Sequence, residues 1–292
     1  GLIESPKSGF GHLSIVLPLL IGGLSLIAFI VVQKYSKNPM MPLGLFKSAT
    51  FSGGNLLTLF VYAALGGTMF FLPLNLIQVQ GYSELKAGLA MLPMVILIAG
   101  ISSIIGKFVD RRGVRIPLII GPIITSAGFF MFSTFSITSG PQDYWETFFI
   151  SFLLMGTGMG ITVAPLTTAV MGAVSHNSVG IASGINNTVA RAAGLLAVAL
   201  MGALVLFTFK KSVANELGLM DIPNHMRDQI MIESSKFAAA EAPTSLSEEN
   251  QIAVTKLLKD SFILAFNKAI YVASILTLLG GFMALLMIRH KK

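Results

Sequence analysis

The sequence predicts an all-α membrane protein with seven transmembrane helices. Three observations lead there. The 292-residue chain is 54% hydrophobic, with a mean hydropathy of +0.79. It contains repeated apolar runs of about 20 residues, the length needed to cross a hydrocarbon core about 30 Å thick at about 1.5 Å per helical residue. Its Lys and Arg gather on alternate connectors between those runs, as in polytopic membrane proteins.

Taken in order, the runs place spans at 12–33, 51–78, 86–106, 116–137, 145–171, 181–208 and 262–288. Pro39 and Pro42 break any helix joining the first two. Short connectors join the next four, and a polar segment, 209–261, precedes the last. Residues 1–50 read as a linking helix with its connector, 51–208 as five helices of one bundle, 209–261 as an outer unit, and 262–292 as the last span and tail.

Connectors on one side carry Lys34, Lys37, Lys47, Lys107, Arg111, Arg112, Arg115, Arg289, Lys291 and Lys292 against the single acid Asp110. The opposite side holds Lys7 against Glu4 and Glu84, with Asp143 and Glu146 beyond, and 209–261 carries six bases and eight acids. The basic side is therefore expected in the cytoplasm, with 209–261 outside the plasma membrane and the carboxy terminus inside. Clustering beside apolar spans also explains the net charge of +7 without a nucleic-acid partner.

Within 209–261, Ser245 and Glu248 have the spacing of a capping box leading into the last span. The preceding "PNHMRDQIMIESSKFAAA" is amphipathic. The expectation is a two-helix hairpin above the membrane, with a mobile linker as the alternative. A faint echo links "KAGLAML" at 86–92 with "SVGIASGI" at 178–185. Three spans separate these runs, an odd number, so two trios of spans would run inverted to one another.

No catalytic residue, cofactor or metal site is expected. Cysteine is absent, the four histidines are scattered, and the spans hold no Ser/His/Asp grouping or paired carboxylates. Glycine runs such as "GTGMG" lack a P-loop lysine. An enzyme is therefore not expected. The chain opens Gly-Leu-Ile-Glu without Met or a basic n-region, which suggests a fragment or processed product rather than a signal peptide.

The densest charge lies in "GKFVDRRGVR", 106–115. Gly106, Asp110, Arg111, Gly113 and Arg115 match in spacing the signature loop of the major facilitator superfamily, which this stretch resembles. Phe108 stands where Leu is usual, and Val114 where a base is common. "NPMMPLGLFKSATFSGGN", "GTGMGITVAPLTTAVMGAV" and "GIASGINNTVARAAGLLAVALMGAL" are similar to the carboxy-terminal half of the fourteen-span drug:proton antiporters, a multidrug efflux group. The resemblance implies that six of the spans form one half-bundle, a 3+3 inverted repeat, with an amino-terminal half of the same transporter as partner. It further implies that the charged cluster latches the cytoplasmic gate. The alternative is a plain topology signal, although topology requires neither an Asp nor glycines. Independently, Asp110 is expected to lie ahead of the next helix start, where the dipole favours negative charge.

Inside the spans, Arg191 sits about ten residues deep, where an ionisable group costs about 2.5–3.5 kcal/mol by insertion scales and calls for a wet cavity or a partner. Asn186, Asn187, Asn55, Tyr62 and Asn75 are the other candidates for a substrate path. The alternative for Arg191 is a structural role, reaching cytoplasmic backbone carbonyls, and Lys268 reads as a snorkelling side chain. Gly156, Gly158 and Gly160 read as packing positions, and Pro165 with Thr167 and Thr168 as a bend. No acid lies deep within any predicted span, so proton coupling, if present, would draw its carboxylate from elsewhere. The expected activity is secondary active efflux of small amphipathic or cationic drugs by alternating access, driven by protons within a lipid membrane. The alternatives are export of an endogenous lipid, peptide or metabolite, and a non-transporting scaffold.

Overall fold

A computed structural model describes residues 13–220 and 222–289, without the side chains of Ser14, Asp110, Arg111 and Arg112. Eight α-helices are described: α1 (Leu13–Tyr35), α2 (Ala49–Leu74), α3 (Glu84–Arg112), α4 (Arg115–Phe132), α5 (Phe148–Gly172), α6 (Val179–Leu219), α7 (Asn224–Glu233) and α8 (Glu248–Met287). Seven are long and apolar enough to cross a membrane, all except α7. Two of the helix starts that no sequence signal had marked are serine caps. Ser48 and Ser83 accept from the backbone N–H of Phe51 and Lys86, satisfying donors that a helix start leaves orphaned.

α1 stands almost alone, with most of its apolar side chains exposed and Ile15 the buried exception. The other six spans form one bundle. α5 packs on α3 and α4, α2 packs on α6 and α8, and α4 meets α8. These five pairings are unchanged when α2, α3, α4 are exchanged for α5, α6, α8; α6 also packs on α8, a contact that α3 and α4 do not match. Each trio has an odd number of crossings, so the second runs inverted to the first, and the two echo sequences open the equivalent helices α3 and α6.

In hydrocarbon, helices gain little by hiding apolar surface from one another, so close van der Waals packing must hold them. Glycine supplies it equivalently in both trios. A Cβ added at Gly66 of α2 would lie 2.6 Å from the Cα of Gly194 on α6, and one at Gly156 of α5 would lie 2.8 Å from the Cα of Met94 on α3. Gly158 faces Thr125 of α4, so the glycines of "GTGMG" serve packing against two helices. Between α4 and α8, Ser126 and Ser274 each donate to the other's backbone carbonyl at 2.9 Å.

Several boundaries differ from the sequence expectation. α4 stops at Phe132 because Ser133 and Thr134 turn their hydroxyls onto the carbonyls of Phe130 and Met131. α2 passes into a π-helical turn, Asn75–Val79, just after Pro73. Segment 209–261 is not a separate two-helix hairpin. α6 continues unbroken to Leu219, α8 already begins at Glu248, and only α7 and a 3-10 stretch, Ser234–Ala239, lie between them. The cap of α8 is Ser247, which accepts from Asn250 N–H; the Ser245 hydroxyl instead lies 3.7 Å from Met226 Sδ. Ser212 and Ser261 join the extended helices at 3.0 Å, and Arg227 donates to Met220 O at 2.7 Å, at the end of α6. This segment covers one end of the bundle, here the capped end. The other, basic end carries the charged turn.

Candidate functional site: the charged turn and the polar face of α6

At the basic end α3 runs further than its apolar sequence implies. Its last turn includes Asp110, Arg111 and Arg112, and Gly113 closes it with φ 82° and its N–H on Val109 O at 2.8 Å. Only glycine enters that region without steric cost. Asp110 thus belongs to the end of α3 rather than lying ahead of α4. The side chains of Asp110 and Arg111, and with them their expected pairing, lie outside what the structure describes.

Arg115 opens α4 and reaches across the bundle. Its Nη2 donates to Leu285 O at 3.2 Å, in the last turns of α8, where a cation complements orphaned carbonyls. Its Nε is buried without a hydrogen-bond partner among the described residues. The turn is therefore tied to the carboxy-terminal end of the last span. Gly106 has no atom within 4 Å of the position a Cβ would take, so its smallness serves no contact among the described residues.

The substrate-path candidates separate into three groups. Asn186 of α6 donates to Asn55 Oδ1 at 3.2 Å and to Thr58 Oγ1 at 2.6 Å on α2. Asn55 donates onward to Phe51 O and Thr58 to Gly54 O. Asn55 and Asn186 thus form an interhelical bond rather than an open lining. Thr58, which completes it, escaped the sequence reading although it stands one turn from Asn55. Tyr62 is half-buried against the same core.

Asn75 is set apart. Twenty positions beyond Asn55 at about 1.5 Å each put it about 30 Å away along the helix axis. It is 1% exposed, with its Oδ1 unpartnered, and does not share a site with Asn186.

Asn187 and Arg191 form the third group. Next to the inward-turned Asn186, Asn187 points to the exposed side of α6. Gly184, Asn187, Thr188 and Arg191 are all exposed, at the i, i+3, i+4, i+7 spacing of one helical stripe. A polar stripe ending in a guanidinium, on a helix of span length, is poorly matched to lipid. The corresponding face of α3, with Leu85, Leu89, Leu92 and Ile96 exposed, is apolar. Lys268 is exposed on α8. Among the described residues no three His, Asp or Glu side chains are placed to hold an ion.

Two inverted trios of spans, glycine-packed and bearing one polar face, define a half-bundle of a membrane carrier fold. Comparison with known proteins agrees. Residues 10–198 match the model of the Major Facilitator Superfamily, and the chain belongs to that family. Among curated relatives, the tetracenomycin C resistance and export protein of Streptomyces glaucescens is 25% identical over 289 residues, 98% of this chain and 53% of the relative. The multidrug resistance protein Stp of Mycobacterium tuberculosis is 25% identical over 80% of the chain and 43% of its own length. The cephamycin export protein CmcT of Amycolatopsis lactamdurans is 29% identical over 69% of the chain and 41% of its own length. The chain thus spans about half the length of the relatives it matches.

Proposed function

We propose that this chain is the carboxy-terminal half of a fourteen-span secondary transporter that exports small amphipathic or cationic drugs by proton-coupled alternating access. The observation that carries the reading is the polar stripe of α6, Asn187 to Arg191, exposed on a helix of span length. Facing lipid it would be costly, whereas facing a second six-helix half across a wet path it supplies a hydrogen-bonding and cationic wall. The names of the relatives support export as the direction of transport.

In this reading the basic end is cytoplasmic and the capped end outside. The 106–115 turn is the gate. Asp110 lies in the last turn of α3, and in this reading its carboxylate meets a cation or helix start of the other half, while Arg115 holds the turn to α8. Parting of the halves breaks the Asp110 contact and leaves the Arg115 bond intact. The proton-titrating carboxylate belongs to the other half.

Ethidium efflux from cells expressing the full chain, with and without a protonophore, tests the proposal. Protonophore-sensitive efflux that falls at least tenfold in Asp110→Asn, with membrane insertion unchanged, is the expected result, a loss of about 1.4 kcal/mol or more. Efflux indifferent to the protonophore removes proton coupling. Unaltered efflux in Asp110→Asn reduces the turn to a topology signal, and absence of any drug efflux turns the reading toward an endogenous substrate or a scaffold.

A further inference from the structure

The capped end holds a cleft of about 770 Å³ between the bundle and its cover, within the roughly 300–1,000 Å³ of drug-sized sites. Its floor is apolar, with Val79, Ile137 and Phe262. One wall is the run Ala238–Ala242, whose four alanines leave the space open beside Glu241.

Two further features single it out. Phe237, at the corner of the cleft, has φ 58° and ψ −128°, a conformation that a bulky residue adopts only when its surroundings impose it. Its ring lies 6.1 Å from that of Phe71 and lines the cleft. The second feature is charge. Lys256 and Asp260, one turn apart on α8, border both this cleft and a smaller hollow on the other side of α8, and their charges offset. Lys259 is half-buried and lines this cleft alone of the two. The only ion pair among the described residues is Lys236 with Glu233, so Lys259 has no acid within salt-bridge distance. Glu241 on the opposite wall is exposed and screened by solvent.

We infer that this cleft is a second small-molecule site, for aromatic organic anions, with the ring against Phe237 and Phe262 and the acid group on Lys259. An ammonium beside an apolar, aromatic floor binds such a ligand at both ends, whereas a neutral aromatic gains only the floor and a cation meets Lys259 as a like charge. The site lies at the opposite end of the bundle from the charged turn and does not depend on the export reading.

The absence of cysteine gives a direct assay on the purified chain. In Ala240→Cys, alkylation by N-ethylmaleimide is followed with naphthalene-2-sulfonate or naphthyltrimethylammonium as the probe. The sulfonate should slow alkylation about tenfold at about ten times its Kd, and the cation should not. Lys259→Gln should weaken that protection about tenfold, the loss expected for one charge-assisted hydrogen bond; Lys259→Arg should keep it. Protection by neither probe, equal protection by both, or protection that survives Lys259→Gln overturns the inference. Because alkylation rather than efflux is measured, failure here leaves the export reading standing, and the reverse also holds.

Discussion

α3 and α6 occupy equivalent places in the two inverted trios, yet they present different faces. Each is held by a central helix through a glycine that meets backbone, Gly156 against Met94 for α3 and Gly66 against Gly194 for α6. On the exposed side α3 shows Leu85, Leu89, Leu92 and Ile96, and α6 shows Gly184, Asn187, Thr188 and Arg191. The scaffold contacts are shared because packing in hydrocarbon requires close approach wherever the symmetry repeats. The exposed stripes are free of that requirement. Specific chemistry has been placed on only one of them, and the charged turn closes the other.

The largest effects should come from breaking what the two helices share. Gly66→Val and Gly156→Val each drive a branched side chain into backbone, and overpacking of this kind costs about 1–3 kcal/mol or more. Both should lower the yield of monodisperse protein and its melting temperature by similar amounts. A marked difference between them would break the equivalence of the trios.

Next comes the feature that separates the helices. Arg191→Leu should abolish most efflux, at least about tenfold or 1.4 kcal/mol of barrier, without lowering yield, since it removes an exposed ionised group from a span. Leu92→Ala, exposed on α3, should leave efflux within about twofold. Comparable losses from the two variants would show that the polar stripe has no special role.

A smaller effect is expected at the bond that fixes the stripe's orientation. Asn186→Ala removes the donor to Asn55 and Thr58 and leaves Asn55 Oδ1 unpaired, while the Thr58 hydroxyl still donates to Gly54 O; the cost is about 1 kcal/mol. A thermal melt of the purified variant reads this directly; the counterpart on α3 is the single hydroxyl bond from Ser102 to Gly160 O of α5 at 3.1 Å, whose loss in Ser102→Ala should cost less.

The smallest effect lies at the connector leading into α3. Tyr82 is buried, and burial, with help from Tyr144 and Asp143, pushes its phenol up to about 12 from 10.0. The folded protein therefore holds this proton where the unfolded chain releases it. Its contribution is fully present below pH 10 and is lost as pH rises from 10 toward 12. Tyr82→Phe should flatten that part of the stability profile, and an unchanged alkaline limb would remove Tyr82 as its cause.

Much of this was legible along the chain, and the limits have physical causes. Apolar run length gave the seven crossings, because hydrocarbon thickness imposes it on any span. The helix ends were harder, since a span can outrun its apolar stretch. Polar residues past the membrane surface continue a helix as readily as they form a loop, so α6 ran on to Leu219 and α3 took in the charged motif. Arg191 stood out as an ionisable residue in an apolar run, but Asn55 and Asn186 were indistinguishable from Asn187 and Asn75. Only packing showed that the first two bind each other, that Asn187 is exposed, and that Asn75 lies at the far end of α2.

By itself, then, the sequence determined the class of fold, the number of crossings and which stretch gathers charge, since each follows from local composition measured against a bilayer of set thickness. Tertiary structure alone decided the pairing of α2 with α6 and α5 with α3, the tie from Arg115 to the end of α8, and the cleft beneath the cover. Those contacts join residues such as Arg115 and Leu285, 170 positions apart, and a contact at that range depends on which helix faces come together in space, a relation that no local pattern records.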